Sequence, residues 1–347
     1  MHLRRTKIIC TLGPSSDSVT EITRLVQAGM DIARLNFSHG TYENHLQIIR
    51  NLREVEKLAD KKIDILQDLQ GPKIRIGLLK NNIPVKRGDH ITFTVKPPHS
   101  IPVQYRGLTK DVKVGHPILI DDGTIELKAE KVTPAKIVCK VIVGGTIKSH
   151  KGLNLPNSKI TATTITAKDK RDLAFGLKHG IDFVALSFVK DARDMQNLRK
   201  LLGKHQIRII AKIERSEAIE NLEEIIKASN GVMVARGDLG VEMPPEQVPI
   251  IQKRIIALAN KYGKFVITAT QMLASMVDNP FATRAEISDA ANAIFDRTSA
   301  LMLSNETSVG KYPFKAAATL RKVAMTIEQE IDKHPELKFM RDENNWN

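Results

Sequence analysis

Three polar residues alternate with apolar ones in a short run near the N-terminus. Arg34, Asn36 and Ser38 are separated by Leu35 and Phe37. In an extended strand, residues two apart lie on the same face, so the pattern predicts that the three polar groups face one site.

Other apolar runs also end in polar residues. A buried parallel strand should be apolar throughout, and charged groups in a buried layer are costly unless they are paired. A single pair could be an ion pair packed inside the fold, but polar residues at the ends of six runs favour a shared site. The remaining polar residues are Asp68, Lys73, Arg75, Lys212, Glu214, Arg236, Asp238, Thr268, Thr270, Ser304 and Glu306.

The carboxylates among these residues indicate a metal. Glu214 and Asp238 have no cysteine or histidine nearby, which favours a hard cation such as Mg²⁺ over zinc. Arg34, Arg75 and Lys212 would bring positive charge to the same place. Three cationic groups and a divalent metal are what the oxygens of a transferring phosphoryl group require.

A bound anion also needs close backbone approach, which Gly237 in ARGDLG allows. Neither GxxxxGK[ST] nor GxGxxG occurs in the chain, so the usual nucleotide-binding loops are absent from the sequence. A nucleotide would therefore have to bind at the site itself and beneath any covering segment.

The elements that must position these residues alternate regularly. Eight short apolar runs are each followed by a segment with helical spacing of apolar residues. This alternation predicts an α/β fold with a parallel sheet closed into a (β/α)8 TIM barrel, and an open doubly wound sheet is the alternative. The runs are KIICTLG, DIARLNFS, KIDILQDL, DFVALSFV, RIIAKIE, GVMVARGD, FVITAT and SALMLSNE.

One connection is much longer than the others. Roughly 90 residues separate the third run from the helix expected near Lys168, whereas ordinary βα loops have about two to six. Strand-like runs and the turns Asp122-Gly123 and Gly144-Gly145 predict an all-β insertion that overhangs the barrel mouth as a lid. The predicted divisions are barrel 1–73, lid 74–157, barrel 158–334 and a polar tail 335–347.

Composition sets broader limits. With 42% hydrophobic and 27% charged residues, the chain is a folded globular protein. The net charge of +14 suits polyanionic partners. The two cysteines, the lack of an apolar leader and the lack of an 18-residue apolar run predict a cytoplasmic protein without membrane association.

The ordered motifs resemble those of the pyruvate kinase family. The resemblance covers nearly the whole chain and implies Mg²⁺-dependent phosphoryl transfer from phosphoenolpyruvate to ADP, giving pyruvate and ATP, with Mn²⁺ as an alternative metal. The matching motifs are RLNFSHG (34–40), DLQGPKIR (68–75), KIE (212–214), ARGDLGVE (235–242), ATQML (269–273), TRAEISDAANA (283–293) and GKYP (310–313).

The resemblance also implies residue roles. Lys212 would be the catalytic cation, Glu214 and Asp238 the metal ligands, and Arg34 the phosphate contact. Further expected roles follow as a set: substrate binding by Gly237, Asp238 and Thr270; nucleotide contacts by Arg75, His39 and Lys151; and a proton relay to the Thr270 face through Ser304 and Glu306.

The family commonly holds a monovalent cation at the positions that match Asn36, Ser38, Asp68 and the backbone of Leu69. Potassium-dependent members carry an acidic residue where this chain has Lys73. An ammonium group can supply the charge that K⁺ would bring. The expectation is therefore that K⁺ is not required.

Some positions depart from the family pattern. Arg297 and Asn305 stand where the family usually has glycine, and Asn157 replaces the glycine of NLPG. The chain also resembles a short form without the family's C-terminal effector domain. Effector control through that domain is then expected to be absent, while a homodimer through the barrel remains open.

Two alternative functions stay open. A divergent paralogue could use the same metal site for enolate chemistry such as oxaloacetate decarboxylation. The charge of +14 also suits a non-catalytic nucleic-acid-binding protein. Only ten Phe, four Tyr and one Trp are available for base stacking, and the lysines are dispersed, so no nucleic-acid partner is expected.

Overall fold

Eight parallel strands close into a barrel in the computed structural model, which describes residues 4–94, 100–156, 158–334 and 337. The predicted (β/α)8 TIM barrel is confirmed, and each of the eight apolar runs contributes one strand. In barrel order after β1, the neighbours are β2, β3, β12, β13, β14, β15 and β16, which pairs again with β1. The barrel strands are β1 (Lys7–Thr11), β2 (Ile32–Asn36), β3 (Asp64–Asp68), β12 (Phe183–Leu186), β13 (Arg208–Ile213), β14 (Gly231–Ala235), β15 (Phe265–Ala269) and β16 (Ala300–Leu303).

Helices lie between the strands, and most of them pack on the outside of the barrel. Ser18, Thr41, Thr166 and Thr283 each begin a helix with a capping box, which satisfies backbone donors of the first turn. The helices are α1 (Val19–Ala28), α2 (Tyr42–Ala59), α3 (Leu108–Asp111), α4 (Ala167–Lys178), α5 (Ala192–Leu202), α6 (Ser216–Glu220), α7 (Leu222–Ala228), α8 (Arg236–Glu242), α9 (Val248–Lys261), α10 (Arg284–Phe295), α11 (Asn305–Ser308) and α12 (Pro313–Lys333), with 3₁₀ turns at Pro245–Gln247 and Ala274–Val277.

One of the segments with helical spacing, EAIENLEEIIKAS, is divided at Asn221 into α6 and α7. The Asn221 side-chain amide donates to the carbonyl oxygens of Lys190 and Glu217. An asparagine that bonds nearby backbone groups competes with a continuous helix, which accounts for the break.

The long insertion forms a separate layer of strands. A six-stranded sheet has the order β11-β7-β8-β9-β5-β6, and β10 pairs with β4. The short helix α3 also lies within this insertion, so it is not built from strands alone. The strands are β4 (Ile83–Val85), β5 (His90–Thr94), β6 (Ile101–Pro102), β7 (Pro117–Ile120), β8 (Ile125–Val132), β9 (Lys136–Val143), β10 (Gly145–Ile147) and β11 (Leu153–Asn154).

The insertion has its own core. Its buried apolar cluster extends from Ile74 to Ile160, apart from the cluster between barrel and helices and a smaller one inside the barrel. The lid boundaries 74–157 stay a prediction. Asn157 and nearly all of the predicted tail lie outside the described residues. Within the described part of the chain, no helix has the length and apolarity needed to span a bilayer.

Candidate active site

Lys212 is the centre of a polar cluster at the carboxyl ends of the barrel strands. Its ammonium group donates to Ser187 Oγ at 2.7 Å and lies 3.1 Å from Asp68 Oδ1 and 3.0 Å from Glu214 Oε1. Only 9% of the residue is exposed. Three strand ends, those of β3, β12 and β13, therefore converge on one ammonium group.

Arg34 contributes a second buried cation. Its guanidinium makes a two-nitrogen contact to Asp68 Oδ2, with Nε at 2.8 Å and Nη2 at 2.7 Å, and Nη1 donates to Thr11 Oγ1 at 2.9 Å. Asp68 thus has a cation on each oxygen, with Arg34 on one side and Lys212 on the other. The predicted clustering of Arg34, Asp68, Lys212 and Glu214 matches this geometry.

The charges in this cluster control one another. Burial would lower the pKa of Lys212, but the carboxylates of Asp68 and Glu214 outweigh it and raise that pKa above its usual value. Burial would likewise raise the pKa of Asp68, but the charges of Lys212 and Arg34 hold it below its ordinary value. Lys212 is therefore a permanent cation near neutral pH and cannot serve as a base.

Glu214 and Asp238 offer the site's carboxylate oxygens for a metal. Burial raises the pKa of Glu214 against the opposing effect of Lys212, and the nearby charge of Asp238 raises it further. Two neighbouring carboxylates that repel each other gain stability from a cation between them. No cluster of three or more His, Cys, Asp or Glu suited to a metal occurs in the described ranges. This sparse oxygen-donor set fits Mg²⁺, which usually keeps water and substrate oxygens as its other ligands.

Lys73 reaches one of these two carboxylates, that of Asp238. Its ammonium nitrogen lies 3.6 Å from Asp238 Oδ1. At the positions proposed for a monovalent cation, the Asn36 side chain accepts from the Ser38 amide, and the Leu69 carbonyl accepts from Ser187 Oγ at 2.7 Å. The Leu69 carbonyl is thus already engaged by a hydroxyl that also accepts from Lys212.

Thr270 lies in a turn with unusual backbone conformation. Its φ is 67° and that of Gln271 is 53°, values uncommon for residues with side chains. Thr270 Oγ1 accepts from the Gly237 amide at 2.8 Å, so this amide, expected to meet an anion, already has a partner. The Thr270 carbonyl accepts from Arg236 Nη2 at 2.7 Å.

Arg236 in turn depends on the helix layer. Its Nη1 donates to Asp289 Oδ2 at 2.6 Å, and Asp289 belongs to α10.

A cavity of ≈ 410 Å³ lies beside Gly237 and Gln271, bounded on the lid side by Asp122. The roles of Ser187, Arg236 and Asp289 were not predicted from the sequence. In the sequence, Arg236 was identified only as one of the polar residues at the ends of apolar runs.

Glu306 is fixed by backbone donors. It is 2% exposed and accepts from the amides of Leu273 at 3.1 Å and Ser304 at 2.7 Å. These bonds join the ends of β15 and β16.

Asn305 begins α11 and has no positive φ, so the turn does not need the conformational freedom of the family's glycine. Arg297, by contrast, has a φ of 63°.

The residues expected to contact a nucleotide lie where the lid joins the barrel. Arg75 Nη1 donates to the His150 carbonyl, and Lys151 pairs with Asp121 at 2.8 Å. Burial lowers the pKa of His39, and the charges of Arg75, Arg34 and Lys73 lower it further. His39 is therefore neutral near pH 7 and adds no positive charge of its own.

The chain is also similar to proteins of known family. The family model described as "Pyruvate kinase, barrel domain" matches residues 3–317. A curated pyruvate kinase from Geobacillus stearothermophilus is 48% identical over 339 residues, which are 95% of this chain and 58% of that protein. One from Clostridium perfringens (strain 13 / Type A) is 46% identical over 354 residues, 99% of this chain and 74% of that protein.

A solved structure is also similar. The crystal structure of a pyruvate kinase from Cryptosporidium parvum has a TM-score of 0.92 and 38% identity, covering 98% of this chain and 73% of that one. The chain spans 58% of the length of the Geobacillus relative.

Proposed function

This chain belongs to the pyruvate kinase family, and from that premise we propose that it transfers the phosphoryl group of phosphoenolpyruvate to ADP, giving pyruvate and ATP. The observation that carries the proposal is Lys212, a buried ammonium group held within 3.1 Å of Ser187, Asp68 and Glu214. Buried positive charge that is positioned in advance stabilises a migrating phosphoryl group without reorganisation.

The other cations and the proposed metal ligands complete the charge balance. Arg34 would contact the phosphate oxygens, and Lys212 would stabilise the moving phosphoryl group and the enolate. Glu214 and Asp238 would hold Mg²⁺, or Mn²⁺ in its place, and the metal would neutralise substrate oxygens. Gly237 and Thr270 bound the pocket for the three-carbon part of the substrate.

The nucleotide would enter from the lid side. Arg75 and Lys151 would bring cationic groups to the phosphates of ADP, and neutral His39 would contact the nucleotide without adding charge. The proton that completes pyruvate would arrive at the Thr270 face. Ser304 belongs to the proposed relay, and Glu306 holds the relay segment through its two backbone bonds.

Two broader features fit this function. Cys10 and Cys139 are free, as expected in a reducing compartment, and we propose the cytoplasm. The charge of +14 favours anionic small molecules, and we propose no nucleic-acid or membrane partner. A homodimer through the barrel is part of the proposal. No observation favours the oxaloacetate reaction over phosphoryl transfer.

The direct test measures Mg²⁺-dependent ATP formation from phosphoenolpyruvate and ADP. We expect Lys212→Met to lower kcat by about a thousandfold, since one positioned electrostatic group contributes about that much. The control is Lys200→Met, which changes an exposed lysine on α5 and should keep the parental rate. A Lys212→Met variant that folds and retains parental turnover would refute the assignment.

A second test concerns the monovalent cation. We expect full activity in tetramethylammonium buffer without Na⁺ or K⁺, because the ammonium group of Lys73 already brings positive charge to the site. Lys73→Glu should make the rate dependent on added KCl. A parental rate that rises about tenfold with KCl would show that Lys73 does not replace the cation.

A further inference from the structure

The two segments that connect the lid to the barrel enclose a small cavity with two charged barrel residues. Pro72, Lys73 and Ile74 line it from the outgoing segment, and Leu153, Asn154 and Leu155 line it from the returning one. Arg215 and Glu242 line it from the barrel. Each of the two is buried, with 7% of its surface exposed.

These two residues follow the proposed metal ligands closely in sequence. Arg215 comes directly after Glu214 at the end of β13, and Glu242 ends α8, the helix that carries Asp238. The two segments that present the carboxylates to the site therefore also present one charged residue each to the base of the lid.

Arg215 contacts the returning segment. Its Nη2 donates to the Ser158 carbonyl at 3.0 Å, and its Nε donates to Glu217 Oε2 at 2.9 Å. Ser158 Oγ is in turn 2.9 Å from His116 Nδ1, at the edge of β7 in the lid sheet. One guanidinium thus joins the barrel to the backbone by which the chain leaves the lid.

Glu242 lines the same cavity as Arg215, whose ion-pair partner is Glu217. Burial raises the pKa of Glu242, whereas the positive charge of Arg215 and a hydrogen bond with Asn154 act in the opposite direction. Glu242 Oε2 has no hydrogen-bond partner among the described residues. A buried carboxylate with an unsatisfied oxygen depends strongly on its neighbouring cation.

We propose that Arg215 is a positioning residue that fastens the returning lid segment to the barrel, with Glu217 orienting its guanidinium and Glu242 as a second buried carboxylate at the same cavity. The position of the lid and the geometry of the segments that carry Glu214 and Asp238 then change together. A nucleotide that draws the lid inward would act on the metal ligands through this contact. This last consequence rests on the proposed function, whereas the fastening itself does not.

The test is hydrogen exchange of the unliganded protein. The reporters are the amides of Ile76, which donates to Lys151, and Leu153, which donates to Ile74; these bonds pair the two connecting segments. Arg215→Met removes the bond to Ser158 and leaves Glu242 without its cation. We expect both amides to exchange about tenfold faster, as for loss of one charge-assisted hydrogen bond.

The matched control is Arg254→Met, which removes an exposed arginine on α9. It should leave both amides at the parental rate, and amides of β15 should not change in either variant. Adding Glu242→Gln to Arg215→Met should recover about half of the lost protection on a logarithmic scale, because it removes the uncompensated charge. The proposal would be overturned if both amides exchanged in Arg215→Met at the rate seen in the control. It would also be overturned if the amides of β15 were accelerated in Arg215→Met to the same degree.

Activity gives a second readout. We expect Arg215→Met to raise KM for ADP about fivefold while kcat falls less than about threefold, and Arg215→Lys to recover part of that affinity, since the charge returns without the second donor. A fall in kcat with unchanged KM would contradict a positioning role. If the parental protein transfers no phosphate, the proposed function fails, and the exchange experiment still decides the fastening.

Discussion

Asp68 shows how single residues at this site serve both stability and chemistry. It is 1% exposed and shares its two oxygens between Arg34 and Lys212. If Asp68 were absent, the two cations would lie close together with Glu214 as their main counter-charge. Asp68 therefore holds together two positive charges that a phosphoryl group can bind.

A pH-dependent stability difference follows from this arrangement. The pKa of Asp68 lies below its ordinary 3.8 in the folded chain. A lowered carboxyl pKa gives stability that is fully present above 3.8 and is lost as the pH falls through the folded value. We expect Asp68→Asn to lower the free energy of unfolding at pH 7 by about 3 kcal/mol, the usual cost of breaking a buried ion pair.

Urea unfolding at several pH values checks this. The difference between the parental protein and Asp68→Asn should be constant above about pH 5 and should shrink toward zero in acid. Asp278→Asn, a change to a side chain that is 69% exposed, serves as the control. A difference between the parental protein and Asp68→Asn that grows on acidification would show that the charges of Arg34 and Lys212 do not stabilise Asp68.

The sequence was most informative about residues at the ends of strands. Lys212, Glu214 and Asp68 interrupt apolar runs near their ends, and this position predicted a shared site. Ser187 gave no such signal, because a hydroxyl after a buried strand is ordinary. The role of Asp289 was not predicted either, because an acidic residue in an amphipathic helix normally faces solvent.

At the scale of elements, the turn after β15 depends on two neighbours. Arg236 at the start of α8 donates to the Thr270 carbonyl, and Asp289 on α10 holds Arg236. Residues with positive φ persist only when surrounding contacts enforce them. The turn that places Thr270 in the site is thus maintained by a helix in the outer layer.

This dependence is testable with Asp289→Asn. The amide cannot provide the charge that holds Arg236, so we expect kcat to fall about tenfold with little loss of stability. Steady-state kinetics and thermal unfolding measure the two effects, and Asp296→Asn, at the C-cap of α10, is a comparison in the same layer. Parental kcat in Asp289→Asn would mean that the turn needs no support from α10.

Strand and helix order were predictable, whereas local breaks were not. Eight βα units followed from the apolar periodicity, and the lid strands followed from the turn residues. The division at Asn221 depends on the Lys190 carbonyl, a tertiary partner that periodicity does not reveal. The same holds for α3, a helix of four residues that is too short to show a repeat.

For the whole molecule, the charge of +14 has a kinetic consequence. A positive field attracts anionic substrates, and salt weakens it by shortening the Debye length from about 30 Å at 0.01 M to about 8 Å at 0.15 M. We expect kcat/KM for ADP to fall several-fold across this range while kcat changes little. Stopped-flow or steady-state assays in tetramethylammonium chloride measure this without adding K⁺.

An unchanged or rising kcat/KM would show that the net charge does not act on the substrate. Sucrose is added so that the low-salt and high-salt assays have the same viscosity, which controls for slower diffusion. A neutral small molecule added as a competitor gives a comparison, because the positive charge of the lysines does not attract it. We expect salt to weaken the binding of ADP more than the binding of this competitor.

The closure of the barrel has a consequence for how the chain folds. β1 pairs with β16, and Thr11 Oγ1 donates to the Leu303 carbonyl across 292 residues of sequence. Ser187 and Leu69 meet across 118 residues, with the whole insertion between them. Contacts so distant along the chain form slowly, because a large loop must close before any of them is gained. During synthesis on the ribosome, β1 to β3 therefore cannot complete their pairing until β12 to β16 have emerged, whereas the insertion can already fold. The pocket around Lys212 is thus among the last parts of the molecule to form.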